Sequence, residues 1–250
     1  QALVRVSLDF STLTLKKNKD GELDYSADDL GALFEDERPL IEFAKGIHHI
    51  AGSEPSIVIM PTVDQLTRLA HHLNAEREGY AVAVHGKSPT AREDIARYVN
   101  GDYTCIVSAQ MLYKGFDADR VRYVFMGRKT RSRRIYAQAL GRGTRPLKVI
   151  RAALGAAPDA AARRDIITAS AKPHMTMVDL VGLNPSAKDL GIIDILGGTM
   201  PQDVRERAKQ AIIEGAKGET SAVIDTPQLR EAARQGYKQK REEEARARAE

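Results

Sequence analysis

The 250-residue chain has a single cysteine, Cys105, so no intramolecular disulfide can form and no zinc cluster can be assembled. That cysteine sits in the apolar run of residues 104–107, and a reducing, cytoplasmic setting is expected. Long apolar runs are also missing. No stretch approaches the roughly 18 residues that a membrane span needs, and Gln1 to Phe10 lacks the basic start and apolar run of a signal peptide. The chain is therefore expected to stay out of membranes. The six histidines, including the pairs His48-His49 and His71-His72, show no metal-ligand spacing with other His, Cys or carboxylates, so no metal site is expected. The chain opens on Gln1 rather than Met and is expected to be a piece of a longer protein.

Acidic residues are absent from a whole region. Between Arg120 and Pro158 there is none, while Arg120, Arg122, Arg128, Lys129, Arg131, Arg133, Arg134, Arg142, Arg145, Lys148 and Arg151 all fall there. Net charge is only +4, but solvated helices usually interleave both signs, so a single-sign block of this length points to polyanionic partners, phosphates above all. Elsewhere the composition is that of an ordinary globular protein, 42% hydrophobic and 29% charged, and the length suits one substantial domain with an accessory segment.

Two glycine patterns are missing as well. No Gly-x-Gly-x-x-Gly turn follows a strand, which excludes a dinucleotide-binding oxidoreductase. His85-Gly86-Lys87-Ser88 ends like a phosphate-binding P-loop, but the position that needs the first glycine holds Ala81. No acidic cluster stands at a strand end to hold magnesium.

What is present is alternation. From about Arg38 onward, short runs rich in Val and Ile (56–60, 80–84, 104–108, 121–126 and 175–180) alternate with helix-period segments, the pattern of a parallel sheet wrapped by helices. Leu66, Leu69, Ala70 and Leu73 recur at helical spacing behind a capping box of Thr62 and Gln65. Ser88 and Pro89 read as an N-cap and first helical position, and Gly101 as the stop of that helix. Residues 155–164, rich in Ala, suggest a surface connection or short helix. Beyond Asn184 helical patterns take over, with Val204, Ala208, Ala211 and Ile212 on one face of residues 201–214. Residues 228–250 read as a solvated helix without an apolar stripe.

The sharpest feature is Gln138-Ala-Leu-Gly141-Arg142-Gly143-Thr-Arg145-Pro146, behind a probable cap at Ser132. On a helix starting near Arg133, Gln138, Arg142 and Arg145 emerge along one stripe. Ile135 and Ala139 lie beside it, and Tyr136 and Leu140 face the sheet. Paired arginines suit a triphosphate, because each stays charged and offers planar donors to phosphate oxygens. The competing reading is a salt-bridged surface helix, weakened by the lack of acids within the block. A second feature, Ser108-Ala-Gln110-Met-Leu-Tyr-Lys114-Gly115-Phe-Asp117, follows a strand at the end where ligands of open α/β sheets bind. Gly115 would admit a ligand close to the backbone, and Asp117 could orient an arginine or accept from a ribose hydroxyl. Gly-x-Asp is also an ordinary turn.

Together these pieces resemble the second RecA-like domain of superfamily-two helicases and translocases. Gln138-x-x-Gly141-Arg142-x-x-Arg145 is similar to motif VI, residues 108–117 to motif V and Ile57-Val-Ile-Met-Pro61-Thr62 to motif IV. Val84-His-Gly86, Arg92 and Gly101 fit the stretch between. The likeness covers about Arg38 to Asp179, and Arg164, Ile167, Ser170-Ala-Lys172-Pro173 and Asp179 resemble a phage- and restriction-associated subgroup. The resemblance implies an α/β fold, a RecA-like open parallel sheet with flanking helices, plus a mainly helical C-terminal appendage. It divides the chain into a lead-in from a first motor domain (1–37), the RecA-like domain (38–183) and a helical extension (184–250).

The implied role is one half of an ATP-dependent nucleic-acid motor, inactive alone. ATP and Mg2+ would require a first RecA-like domain, the chain's expected partner together with nucleic acid, DNA before RNA. Arg142 and Arg145 would be catalytic, and with Gly115, Asp117 and Gln138 would contact nucleotide. Pro61, Thr62, Gly86, Lys87, Ser108, Gln110 and Lys114 would grip the nucleic-acid backbone, independently of sequence. The alternative is a non-catalytic RecA-like module that binds nucleic acid or protein.

Overall fold

The short β-branched runs fold as strands buried on both faces, which is what a sheet covered by helices on two sides requires. The computed structural model of the chain describes residues 2–17, 21–109, 116–181, 191, 194–195, 202–215, 221–223 and 246. In chain order these form β1 (Ala2–Arg5), β2 (Leu15–Lys17), β3 (Leu23–Tyr25), α1 (Ala27–Ala32), α2 (Arg38–Ala51) and β4 (Ser56–Ile59). Then come α3 (Val63–Glu76), β5 (Ala81–Val84), α4 (Ala91–Asn100), β6 (Cys105–Ser108), β7 (Tyr123–Met126) and α5 (Arg133–Gly143). The last are α6 (Arg151–Ala156), α7 (Ala160–Ala169), β8 (Thr176–Val181), α8 (Gln202–Gly215) and β9 (Ser221–Val223).

The main sheet has the order β5-β6-β4-β7-β8-β1-β9. Its first six members run parallel, and β9 closes the edge antiparallel to β1. Side chains alternate along each strand. Val58, Val107, Phe125 and Val178 turn to one face, against Leu40, Phe43 and Ile47 of α2 and Leu66, Leu69 and Leu73 of α3. Ile57, Ile106, Val124 and Met177 turn to the other, against Tyr98 of α4 and Tyr136, Ala139 and Leu140 of α5. The two tyrosines on this second face keep their hydroxyls satisfied: Tyr98 donates to the Ser56 carbonyl at 3.0 Å, and Tyr136 to the Asp179 carboxylate at 2.7 Å.

Several local expectations meet a different outcome. Thr62 caps α3 by accepting from the Gln65 amide at 3.3 Å. The Gln65 side chain does not return to the cap, however; it donates to the carbonyls of Leu30 and Gly31 at 3.1 and 2.9 Å, because α1 lies over the start of α3. Helix α4 begins at Ala91 with Thr90 as its cap rather than at Ser88-Pro89; Ser88 instead closes a turn to the His85 carbonyl. Gly101 does stop α4, at φ +103°, a conformation that glycine adopts freely. Residues 151–169 form the two helices α6 and α7, the second capped by Asp159.

At the chain's ends, β1 belongs to the main sheet, paired with β8, while β2 and β3 form a separate two-stranded sheet. Similarly, β9 adds a strand to the segment expected to be helical. Val204 on α8 is buried. Residues 228–250, apart from Arg246, lie outside the described residues, as does the expected boundary at 183–184. No helix among the described residues is long and apolar enough to cross a membrane.

Candidate functional site

Helix α5 starts beside the carboxyl end of β7, where Ser132 Oγ accepts from the Ile135 amide at 3.4 Å. It then runs back along the sheet, with Tyr136 and Ala139 buried beneath it. A Cβ on Gly143 would meet Met175 Cε and lie 2.9 Å from Val124 Cγ2, so the last turn presses against the amino ends of β7 and β8. The Gly141–Arg145 segment therefore lies at the opposite edge of the sheet from the carboxyl-end loops.

At that amino edge the two arginines converge. Arg142 Nη1 donates to the Phe116 carbonyl at 3.0 Å and Arg145 Nη1 to the same oxygen at 2.6 Å. Arg145 also reaches Asp117 Oδ1 at 3.1 Å. The helix ends at Gly143, so Arg145 arrives through the turn that follows rather than along a helical stripe, and Gln138 is left exposed on α5. Asp117 is shared: Arg151 donates to its two carboxylate oxygens at 3.3 and 3.2 Å. These hydrogen bonds, Arg151's foremost, hold the Asp117 carboxyl below its usual range. Burial, with the Arg145 charge beside it, pulls the Arg142 guanidinium down from the ordinary arginine value.

Lys172 underpins this cluster. Its Nζ donates to the carbonyls of Asp119 and Arg145, both at 2.7 Å, tying the backbone that carries Arg145 to the loop that carries Asp117. It is 7% exposed, and burial lowers its pKa to about 8. Sequence reasoning placed Lys172 in a pattern without a role and counted Arg151 as one more cation; their contacts join segments that are distant in sequence.

The acids missing from the basic block are supplied from outside it. Asp24, 4% exposed, accepts from Arg128 Nη2 at 3.2 Å, Thr130 Oγ1 at 3.0 Å and the Arg131 amide at 2.7 Å. Glu22 accepts from Ser132 Oγ at 2.6 Å, and Glu54 pairs with Arg122 at 3.1 Å. The inference from a lack of acids within the block thus needs correction: several of these arginines are ion-paired through tertiary structure.

The residues expected to grip nucleic acid lie around the carboxyl edge, with varied access. Pro61 and Ser108 are buried. Thr62 is half-buried, spent on its cap and covered by α1, where a Cβ on Gly31 would stand 3.6 Å from its methyl. Gly86 and Lys87 are exposed in the turn after β5. Gln110, Lys114 and Gly115 lie outside the described residues. Among the described residues, no group of three or more His, Cys, Asp or Glu is arranged to hold a metal ion.

Comparison with known proteins matches residues 40–146 to the family model "Helicase conserved C-terminal domain". Among curated proteins, none matches the chain. Solved structures similar to it include the Hef helicase domain of Pyrococcus furiosus, at 12% identity and TM-score 0.38, covering 59% of this chain and 26% of that one. The E. coli DEAD-box protein SrmB, bound to regulator of ribonuclease activity A, is similar at 16% identity and TM-score 0.41, covering 72% and 75%. A fragment of a putative HsdR subunit of a type I restriction enzyme from Vibrio vulnificus is similar at 15% identity and TM-score 0.44, covering 76% and 38%. The chain thus spans about a quarter of the Hef chain and three quarters of the SrmB chain.

Proposed function

We propose, from the match of residues 40–146 to the helicase C-terminal domain model and the parallel sheet flanked by helices, that the chain is the second motor domain of an ATP-dependent helicase or translocase of superfamily two. Arg142 and Arg145 would lend their guanidiniums to the nucleotide phosphates across a cleft shared with a first RecA-like domain. The observation that carries this reading is the convergence of both Nη1 atoms on the Phe116 carbonyl, which sets two planar, charged donors side by side. The donor set fits a polyphosphate, since planar guanidiniums bind its oxygens in pairs.

When bound, ATP and Mg2+ would supply the phosphoryl chemistry; the magnesium ligands and the phosphate-binding loop are assigned to the first domain. This chain's contribution is orientation. Asp117 holds Arg145 from one side, Lys172 fixes the backbone of both segments, and Gln138 stands exposed on the same helix. Gly86 and Lys87, at the other edge, would contact the nucleic-acid backbone.

In a protein carrying both motor domains, Arg142→Ala should lower kcat about 1,000-fold or more, with KM for ATP changed far less, because such an arginine acts on the transition state. Assays with and without single- and double-stranded DNA and RNA would identify the track. Unchanged turnover in the variant would remove the assignment.

A second reading, a RecA-like binding module without catalysis, draws on the pairing of Arg145 and Arg151 with Asp117, which gives those arginines a structural task. It predicts salt-sensitive nucleic-acid binding with no ATP hydrolysis by the two-domain protein under any condition.

A further inference from the structure

The β2–β3 hairpin is anchored to the carboxyl edge by its acids. Asp24 on β3 is buried and takes three hydrogen bonds from residues 128–131, Glu22 accepts from Ser132, and Asp29, just beyond, accepts from the backbone and side chain of Thr14. Each of these carboxylates accepts from the protein's own donors, Asp24 from within the structure and Glu22 and Asp29 at its surface. The cations of the same segments are disposed differently. Lys16 and Lys17 lie on a strand with all three residues exposed, and Arg131 is exposed. Lys129 stands 4.8 Å over the ring of Phe10, and Arg131 5.9 Å over the ring of Tyr25.

A surface anchored by a buried acid that presents exposed cations beside half-buried aromatic rings has the composition of a phosphate-backbone ledge with aromatic side chains alongside. Loop 128–131 follows the carboxyl end of β7, on the same side of the parallel sheet as the turn of Gly86 and Lys87 after β5. We propose that the β2–β3 hairpin and the loop 128–131 form a nucleic-acid-binding ledge, with Lys16, Lys17, Lys129 and Arg131 on the phosphates and Tyr25 and Phe10 beside the bases. The ledge rests on reading this domain as half of a nucleic-acid motor. It extends the track beyond the carboxyl-end loops, and it explains why residues before Arg38 are folded onto this edge: Asp24 builds the platform and the neighbouring cations use it.

The test is fluorescence anisotropy of this chain with labelled 20-nucleotide single strands and 20-base-pair duplexes, across a salt series. The comparison set is wild type, the quadruple variant Lys16→Ala/Lys17→Ala/Lys129→Ala/Arg131→Ala, and an equal-sign control, Arg163→Ala/Arg164→Ala on α7. The quadruple variant should bind roughly 10- to 100-fold more weakly, with a log–log salt slope shallower by about two to three, while the control stays within about twofold of wild type. Bound oligonucleotide should also protect Lys16, Lys17 and Lys129 of the wild-type chain from acetylation, a readout that needs no variant to fold. Equal affinity and slope in wild type and quadruple variant, without protection, would overturn the ledge and leave the motor reading standing. Absence of binding by wild type at low salt would overturn both. Poly-glutamate competing as well as an oligonucleotide of equal charge would overturn it in favour of an acidic protein ligand.

Discussion

At the carboxyl edge of the sheet, the organising acid, Asp24, is 4% exposed and takes its donors from a single loop. At the amino edge the corresponding acid, Asp117, is 36% exposed and divided between Arg145 and Arg151. Both serve the same acid-free block of sequence. A buried carboxylate with three donors fixes its surroundings, since losing it strands a desolvated cation. A carboxylate open to water holds arginines weakly, and weak holding leaves them able to exchange it for a phosphate. The block is thereby split into cations committed to architecture and cations available for an anion.

Breaking the committed edge should have the largest effect. Asp24→Ala leaves Arg128, 17% exposed, without its counter-charge, and should cost about 3 to 5 kcal/mol in urea unfolding; a loss under about 1 kcal/mol would mean that Asp24 and Asp117 are equivalent. Next comes Lys172, which sharpens the account of the amino edge. The folded chain holds this amine at a pKa of about 8, whereas the unfolded chain returns it to the ordinary lysine value of 10.5. Between those values the unfolded chain binds more protons, so this group's contribution to stability rises with pH, by about 3 kcal/mol across the window at most. Denaturation at pH 7.5 and 10.5 should show that rise in wild type and its loss in Lys172→Met.

Smaller effects distinguish the two ends of the β7–α5 unit. A Cβ on Gly127, at the carboxyl edge, would meet Met60 Sδ, Phe43 Cε1 at 2.8 Å and the Ile59 carbonyl at 3.0 Å, so Gly127→Ala should destabilise by about 1 to 3 kcal/mol through overpacking. Gly141, one residue before Arg142, has nothing within 4 Å of the corresponding position. Gly141→Ala should therefore raise the stability of this chain by about 0.5 to 1 kcal/mol, as for other helix-interior glycines, while slowing ATP turnover if the first domain or nucleotide approaches there. A thermal melt and a turnover assay check the two halves; an unslowed enzyme would show that nothing comes close to this face.

Much of the fold was legible because its signals are local. The five apolar runs became β4, β5, β6, β7 and β8 with ends displaced by a residue or two, since strands buried on both faces must be continuously apolar. The cap at Ser132 and the stop at Gly101 depend on neighbouring residues alone, and so could be read. Strand β1 was not legible as part of the sheet: Ala2–Arg5 is four residues long, and its partner β8 lies more than 170 residues away. Neither could Ser88-Pro89 be told from a true helix start, because the turn from Ser88 back to His85 satisfies the same residue types.

By itself, then, the sequence determined an alternating α/β chain, the pairing of Arg142 with Arg145 near the end of a capped helix, and a basic block free of acids. It could do so because hydrophobic period, capping and charge runs are properties of neighbours along the chain. Tertiary structure alone decided which cations of that block are neutralised and by whom. Glu22 and Asp24, Glu54, and Asp117 come from three separate places in the sequence, and a carboxylate's grip depends on its burial and on the number of donors that reach it, quantities that exist only once the chain has folded.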